Sequence, residues 1–101
     1  MKRGTTPINT FILPSYIDTS EIAEVMVIYS QNDVELFHKD TAECAVAGNE
    51  ISVRLTQEET LSFDHNINLE IEVWIKTNGG DVLGSYTINT DVEKCLRNGV
   101  M

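Results

Sequence analysis

A chain of 101 residues is long enough for one domain with its own core, and 42% hydrophobic and 23% charged residues are typical of a globular protein, not a disordered one. No apolar run approaches the roughly 20 residues that span a bilayer, and the N-terminus lacks the apolar stretch of a signal peptide. The net charge of −9 disfavours nucleic acid and anionic membranes as partners, and synthesis and residence in the cytoplasm are expected.

The first third of the chain predicts three strands. Residues 8–13 are flanked by Pro7 and Pro14, which suits an edge strand because a missing N–H there breaks no ladder. Residues 24–29 are apolar at both parities, so they predict a central strand after a short turn. A helix from Thr19 is the alternative, since Asp18 and Glu21 have capping-box spacing. Residues 34–39 follow a turn as the partner strand.

The middle of the chain predicts further strands and one helical turn. Residues 44–46 suit a short strand, and residues 51–55 alternate between apolar and polar. Thr56 and Glu59 have the spacing of a capping box, which predicts a helical turn over residues 57–61 with Phe63 packing inward beneath it. This turn fits a crossover from one sheet to another.

Residues 67–89 predict a β-hairpin. Odd positions from Ile67 to Ile75 are all apolar, and after a Gly-rich turn the apolar residues of the second run lie at even positions. Because facing residues share a face, this parity predicts a loop of two or four residues, closed either by Asn78-Gly79 or by Gly79-Gly80. Trp74 and Leu83 are then the apolar exceptions on an otherwise polar outer face.

The predicted fold class is all-β: an Ig-like antiparallel sandwich of six to eight short strands in a single domain over residues 1–101. Cys44 and Cys95 match no metal-ligand spacing, so packed free thiols are expected, with a disulfide in an oxidising compartment as the alternative. No cofactor is expected.

Candidate catalytic and metal-binding residues are few. His38 is expected to be a half-buried strand residue and His65 a solvated turn residue, and a pairing of either with a cysteine has no local support. Loop acids offer a calcium alternative, although no EF-hand spacing exists. The acids in question are Asp33, Asp40, Glu43 and Asp81.

Trp74 is the sharpest pointer to function. One explanation for its position is a cross-strand pair with Leu83, and another is a terminal segment such as residues 92–100 folding over that face. Alternatively it anchors a partner, because Trp is enriched in interface hot spots. The candidate interface comprises Trp74, Leu83, Glu72 and Thr87.

The order of strands and turns resembles small proteins encoded by phages and prophages of Gram-positive gut bacteria. The residues that carry this resemblance are 10–14, 28–33, 51–63, the Gly79-Gly80-Asp81 turn and residues 92–96. The chain is also similar to the N-terminal β-sandwich module of phage baseplate upper proteins, which attaches a receptor-binding assembly to the tail. These resemblances imply a virion-associated or assembly component and supply no catalytic residue.

We therefore expect a non-enzymatic phage or prophage structural protein of the tail, the baseplate or another part of the virion. Its expected partners are other virion or assembly proteins, or further copies of the chain. The alternative is a sandwich that binds calcium or a carbohydrate through its acidic loops.

Overall fold

The computed structural model describes residues 1–17, 19–85 and 87–94. This part of the chain contains eight strands, one short helix and two 3-10 turns, at Thr19–Glu21 and Thr41–Glu43. The strands and the helix, in chain order, are β1 (Ile8–Ile12), β2 (Ile22–Gln31), β3 (Val34–Asp40), β4 (Cys44–Ala47), β5 (Glu50–Arg54), α1 (Gln57–Leu61), β6 (Leu69–Thr77), β7 (Val82–Gly84) and β8 (Ile88–Thr90).

The strands form two packed antiparallel sheets, which confirms the predicted β-sandwich. One sheet has the order β1-β5-β4 and the other β3-β2-β6-β7, with β8 also paired to β6. β1 is an edge strand and β2 a central strand, both as predicted. The chain crosses between the sheets after β1, after β3 and again after β5, where α1 makes the predicted crossover.

The core lies between the inner faces of the two sheets. The odd positions of β6 from Leu69 to Ile75 are at most 4% exposed, which confirms the inner face predicted for that strand. Beneath α1, the Phe63 ring stacks on Phe37 at 5.7 Å between centroids and lies 6.3 Å from Tyr29. Tyr29 and Phe37 stack at 4.9 Å. The three stacked aromatic rings therefore pack the crossover against the β2–β3 hairpin.

The predicted capping box begins α1. The Thr56 hydroxyl oxygen accepts from the Glu59 N–H at 3.1 Å, and the Glu59 carboxylate accepts from the Thr56 N–H at 2.8 Å. The second carboxylate oxygen of Glu59 lies 2.8 Å from Lys39 Nζ on β3, whose side chain is 7% exposed. Partial burial raises the pKa of Glu59, but the hydrogen bonds from Lys39 and Thr56 outweigh it and hold that pKa below its ordinary value.

The two ends of the described chain lie side by side. Lys2 and Glu93 form a parallel bridge, in which the Arg3 N–H donates to the Glu93 carbonyl and the Glu93 N–H donates to the Met1 carbonyl. Val92 is 7% exposed and belongs to the core. Val92 therefore contributes to the interior and does not cover the outer face that carries Trp74, and residues 95–100 of the predicted covering segment lie outside the described residues.

The turn of the β6–β7 hairpin differs from the prediction. The Thr77 N–H donates to the Asp81 carbonyl at 2.9 Å, so three residues, Asn78, Gly79 and Gly80, form the loop. Gly80 takes a φ of 91°, a left-handed conformation that suits glycine and closes such a loop. The predicted loop of two or four residues is wrong, and β7 pairs with β6 in the register that the parity argument rejected.

The register changes by one residue between β7 and β8. Ile75 faces Leu83 in β7, whereas Ile71 faces Ile88 in β8. The second pairing is the one predicted for a Gly79-Gly80 turn. The parity argument treated residues 82–89 as one continuous strand, but an extra residue separates its two halves, as in a β-bulge. Ile88 therefore lies on the predicted inner face, while Val82 lies on the outer face beside Lys76.

Candidate interaction surface

Trp74 lies on the outer face of the larger sheet, as predicted, and covers a glycine. Its cross-strand partners are Met26 on β2 and Gly84 on β7. A Cβ placed on Gly84 would lie 3.3 Å from three carbons of the indole, so the ring lies flat over the glycine backbone. Trp74 is 38% exposed. An aromatic ring that shields an edge glycine from water stabilises strand pairing, which gives Trp74 a structural reason for its position.

Glu72 fixes the orientation of this ring. The Trp74 Nε1–H donates to one carboxylate oxygen of Glu72 at 3.0 Å, and the Thr87 hydroxyl donates to the other at 3.1 Å. Three of the four candidate interface residues are thus joined by hydrogen bonds on one face. A large aromatic side chain that is already fixed loses little conformational entropy on binding, which favours its use as an anchor.

We expect Trp74→Ala to lower the free energy of unfolding by about 1–2 kcal/mol. This is less than the 3–5 kcal/mol typical of a fully buried Trp, because part of the ring is already in water. Urea unfolding followed by circular dichroism measures the loss. Trp74→Phe is the matched control, since it keeps a ring over Gly84 and should lose less. Equal stability of Trp74→Ala and wild type would contradict the packing on Gly84.

Leu83 does not share a face with Trp74, so this part of the prediction is corrected. Because β7 pairs through a three-residue loop, Leu83 faces Ile75 and points to the inner side of the sheet. It remains 41% exposed and borders a cleft of about 390 Å³ between β7 and the segment after β1. No charged side chain lines this cleft among the described residues, and its wall includes Leu13, Tyr16 and Ile17.

Val82 joins this cleft to a second one on the outer face. The second cleft, of about 410 Å³, is lined by Met26, Trp74 and Lys76 among others, and Val82 contributes to both. Val82 is 60% exposed. We call Trp74, Val82, Leu83 and Gly84 together the β7 edge surface. It presents apolar side chains on both faces of β7, which is the edge strand of the larger sheet.

Sequence reasoning missed Val82, Gly84 and Tyr16. A loop of two or four residues would place Val82 on the inner face. The position of Gly84 beneath Trp74 likewise depends on the register that the three-residue loop sets. Tyr16 is 83% exposed on the wall of the inner cleft. The sequence signal that could have indicated the β7 edge surface is the absence of charged residues between Asp81 and Asp91, which is unusual in so acidic a chain.

The two histidines lie at the surface. His38 was expected to be half-buried, but its side chain is 44% exposed because it faces Ile28 on the outer side of the sheet. A hydrogen bond with Glu35, opposed by slight desolvation and aided by Asp40, raises the pKa of His38. His65 is exposed in a turn where the Asn66 N–H donates to the Asp64 carboxylate.

Cys44 is a free thiol that packs against the core, as predicted, and Cys95 lies outside the described residues. Burial, with a contribution from the Glu43 carboxylate, raises the pKa of the Cys44 thiol. A thiol with a raised pKa is a poor nucleophile at neutral pH, since the thiolate is the reactive form.

The loop acids do not converge in the described part of the chain. Within residues 1–17, 19–85 and 87–94, no group of three or more Asp, Glu, His or Cys side chains is placed to hold a metal ion. Glu43 instead accepts from the Asp40 N–H at 3.2 Å and lies 3.5 Å from Lys39 Nζ.

None of the helices in these described ranges has the length and apolar character needed to cross a membrane. Comparisons with protein-family models, with curated proteins and with solved structures return no match.

Proposed function

We propose that this protein is a non-enzymatic structural or assembly protein of a phage or prophage, associated with the tail, the baseplate or another part of the virion. It acts by binding other proteins through the β7 edge surface. The observation that carries this proposal is the exposure of Trp74, Val82 and Leu83 around one strand of an acidic protein. Aromatic and aliphatic anchors of this kind are typical of interface cores. The resemblance of the chain to small phage proteins supplies the biological setting.

The chemistry of the titratable residues also favours a binding role. The raised pKa of the Cys44 thiol keeps it protonated near neutrality, and His38 is held by acidic neighbours on an open surface. Neither residue lines the clefts beside β7. The β7 edge surface and the candidate reactive groups are thus in different places.

We further propose that the connectivity is Ig-like. This is supported by the strand order, since β1-β5-β4 corresponds to strands B-E-D of that fold and β3-β2-β6-β7 to strands C′-C-F-G. The β6–β7 turn and the segment after β1 then belong to one end of the sandwich, the end at which variable domains carry their binding loops. The exposed Tyr16 and the β7 edge surface both lie there.

The test is whether the protein associates with particles. In a lysogen that carries the gene, we expect particles purified after induction, or assembly intermediates, to contain the protein when analysed by mass spectrometry. Deletion of the gene should lower the yield of complete particles by at least an order of magnitude. A protein that is absent from both fractions and dispensable for particle formation would contradict the proposal, and a calcium-dependent rise in melting temperature would favour the calcium-binding alternative.

A further inference from the structure

We propose that two copies of this chain associate by antiparallel pairing of their β7 strands, with Leu83 facing the second copy's Leu83. The two larger sheets then join into one continuous sheet across a two-fold axis. This inference rests on the proposed function, because it takes the β7 edge surface as the binding surface and names a second copy as its partner.

In the described part of the chain, the backbone of β7 leaves hydrogen-bonding groups unpaired along the edge that is directed away from β6. The Ser85 N–H donates to the Val73 carbonyl at 2.9 Å and the Thr77 N–H donates to the Asp81 carbonyl at 2.9 Å, so odd residues of this segment bond to β6. In an antiparallel ladder, the alternate residues then direct their N–H and C=O groups away from the partner. Val82 and Gly84 therefore present these groups at the edge, and no strand of the described residues pairs there.

The outward-facing groups are complementary to themselves. If Val82 forms a hydrogen-bonded pair with the second copy's Gly84, the reciprocal pair forms by symmetry, and four backbone hydrogen bonds result. Leu83 then faces the second copy's Leu83 in the closer, non-hydrogen-bonded type of pair. The Val82 side chain of each copy lies on the outer face beside the other's Gly84, next to the Trp74 ring that covers this glycine. The missing side chain at Gly84 leaves space that Val82 fills.

The charges permit this register. No charged residue lies between Asp81 and Asp91, and the pairing places Asp81 opposite the second copy's Ser85, so no two like charges face each other along β7. The net charge of −9 on each copy still opposes association at long range. Added salt screens this repulsion, so we expect salt to strengthen the dimer. A basic partner segment would show the opposite dependence on salt.

The sheet edges at β1 and β3 are better protected than the edge at β7. β1 lies between Pro7 and Pro14, and β3 carries Glu35, His38 and Asp40 along its length. Proline and charge are the usual means by which edge strands avoid pairing with another molecule. The segment Val82–Gly84 contains neither a proline nor a charged residue.

The first test is the mass in solution, measured by light scattering and sedimentation. We expect wild type to reach twice its chain mass of 11.3 kDa as concentration and salt rise. Leu83→Asp should remain monomeric, because it places two carboxylates opposite each other. Ile12→Asp is the matched control: it adds the same charge on an exposed β1 residue and should still dimerise. A monomeric wild type, a dimeric Leu83→Asp or a monomeric Ile12→Asp would each overturn the proposal.

The second test does not depend on disruptive variants. In a Cys44→Ser/Cys95→Ser background, Leu83→Cys should form an intermolecular disulfide with oxidised glutathione, because Cα atoms in a non-hydrogen-bonded pair lie about 4.5 Å apart. Val82→Cys should not, since the two Val82 positions are offset along the strands by two residues, about 7 Å. Cross-linking through Val82→Cys alone, or through neither, would overturn the register.

These tests separate the inference from the proposed function. If the protein is found in particles while wild type is monomeric and does not cross-link, the function stands and the second copy is not the partner. If the dimer forms but the protein is dispensable and absent from particles, the edge pairing stands and the phage role does not.

Discussion

Replacing Phe63 by alanine is expected to lower the free energy of unfolding by about 3–5 kcal/mol, the usual cost of removing a buried aromatic side chain. Phe63 is 1% exposed and touches two ring partners, Tyr29 on β2 and Phe37 on β3. Its removal leaves a cavity beneath α1, at the point where the chain crosses from one sheet to the other. For a domain of about this size, the melting temperature should fall by more than about 10 °C.

Calorimetry and urea unfolding test this prediction. Ile12→Ala is the control, since Ile12 is 72% exposed on β1 and its truncation should change the unfolding free energy little. Phe63→Leu should recover part of the loss because it refills most of the volume. Similar small losses for Phe63→Ala and Ile12→Ala would show that the three rings are not packed together.

The elements that the sequence predicted well are those governed by local chemistry. The capping box at Thr56 and Glu59 depends on residues three apart, and it starts the helix where predicted. The inner face of β6 follows from alternation within one strand, which needs no knowledge of its neighbours. Pro7 and Pro14 place β1 at an edge for a similarly local reason, since proline has no N–H to donate.

The register of β7 could not be predicted in the same way. The parity argument assumed that the second strand of the hairpin continues without interruption from residue 82 to residue 89. Ile88 satisfies that assumption and Leu83 does not, because the pairing with β6 shifts by one residue between them. A single inserted residue reverses the face of every side chain beyond it. Two separate pieces of sequence, each correctly alternating, therefore indicated one register where the fold has two.

The same register error affects the predicted interaction surface, because it changes which residues share a face. Trp74, Glu72 and Thr87 lie together as predicted for one face, whereas Leu83, on the neighbouring strand β7, lies on the opposite face of the sheet. The surface that results is an edge with apolar residues on both sides, and not a flat face. This difference favours pairing with another strand over burial of Trp74 against a flat partner.

Raising the pH from 10 to 12 is expected to lower the free energy of unfolding by about 2 kcal/mol through Tyr29 alone. Burial raises the pKa of Tyr29 from 10.0 to about 12, although the hydrogen bond from Asn9 opposes the shift. Below pH 10 the phenol is neutral in both the folded and the unfolded chain and contributes no pH dependence. Above pH 10 the unfolded chain releases its proton while the folded chain keeps it, so stability falls until the folded pKa is reached.

Tyr29→Phe isolates this effect, because Lys39 and the other alkaline groups titrate in both proteins. At neutral pH the variant should be less stable by about 1 kcal/mol, since the Asn9 amide loses its acceptor. Near pH 12 it should be the more stable protein, because it has no phenol to keep protonated. The two curves of unfolding free energy against pH should therefore cross between pH 10 and 12. Parallel curves would mean that the Tyr29 phenol ionises in the folded chain at its ordinary pKa, and that the core around it admits water.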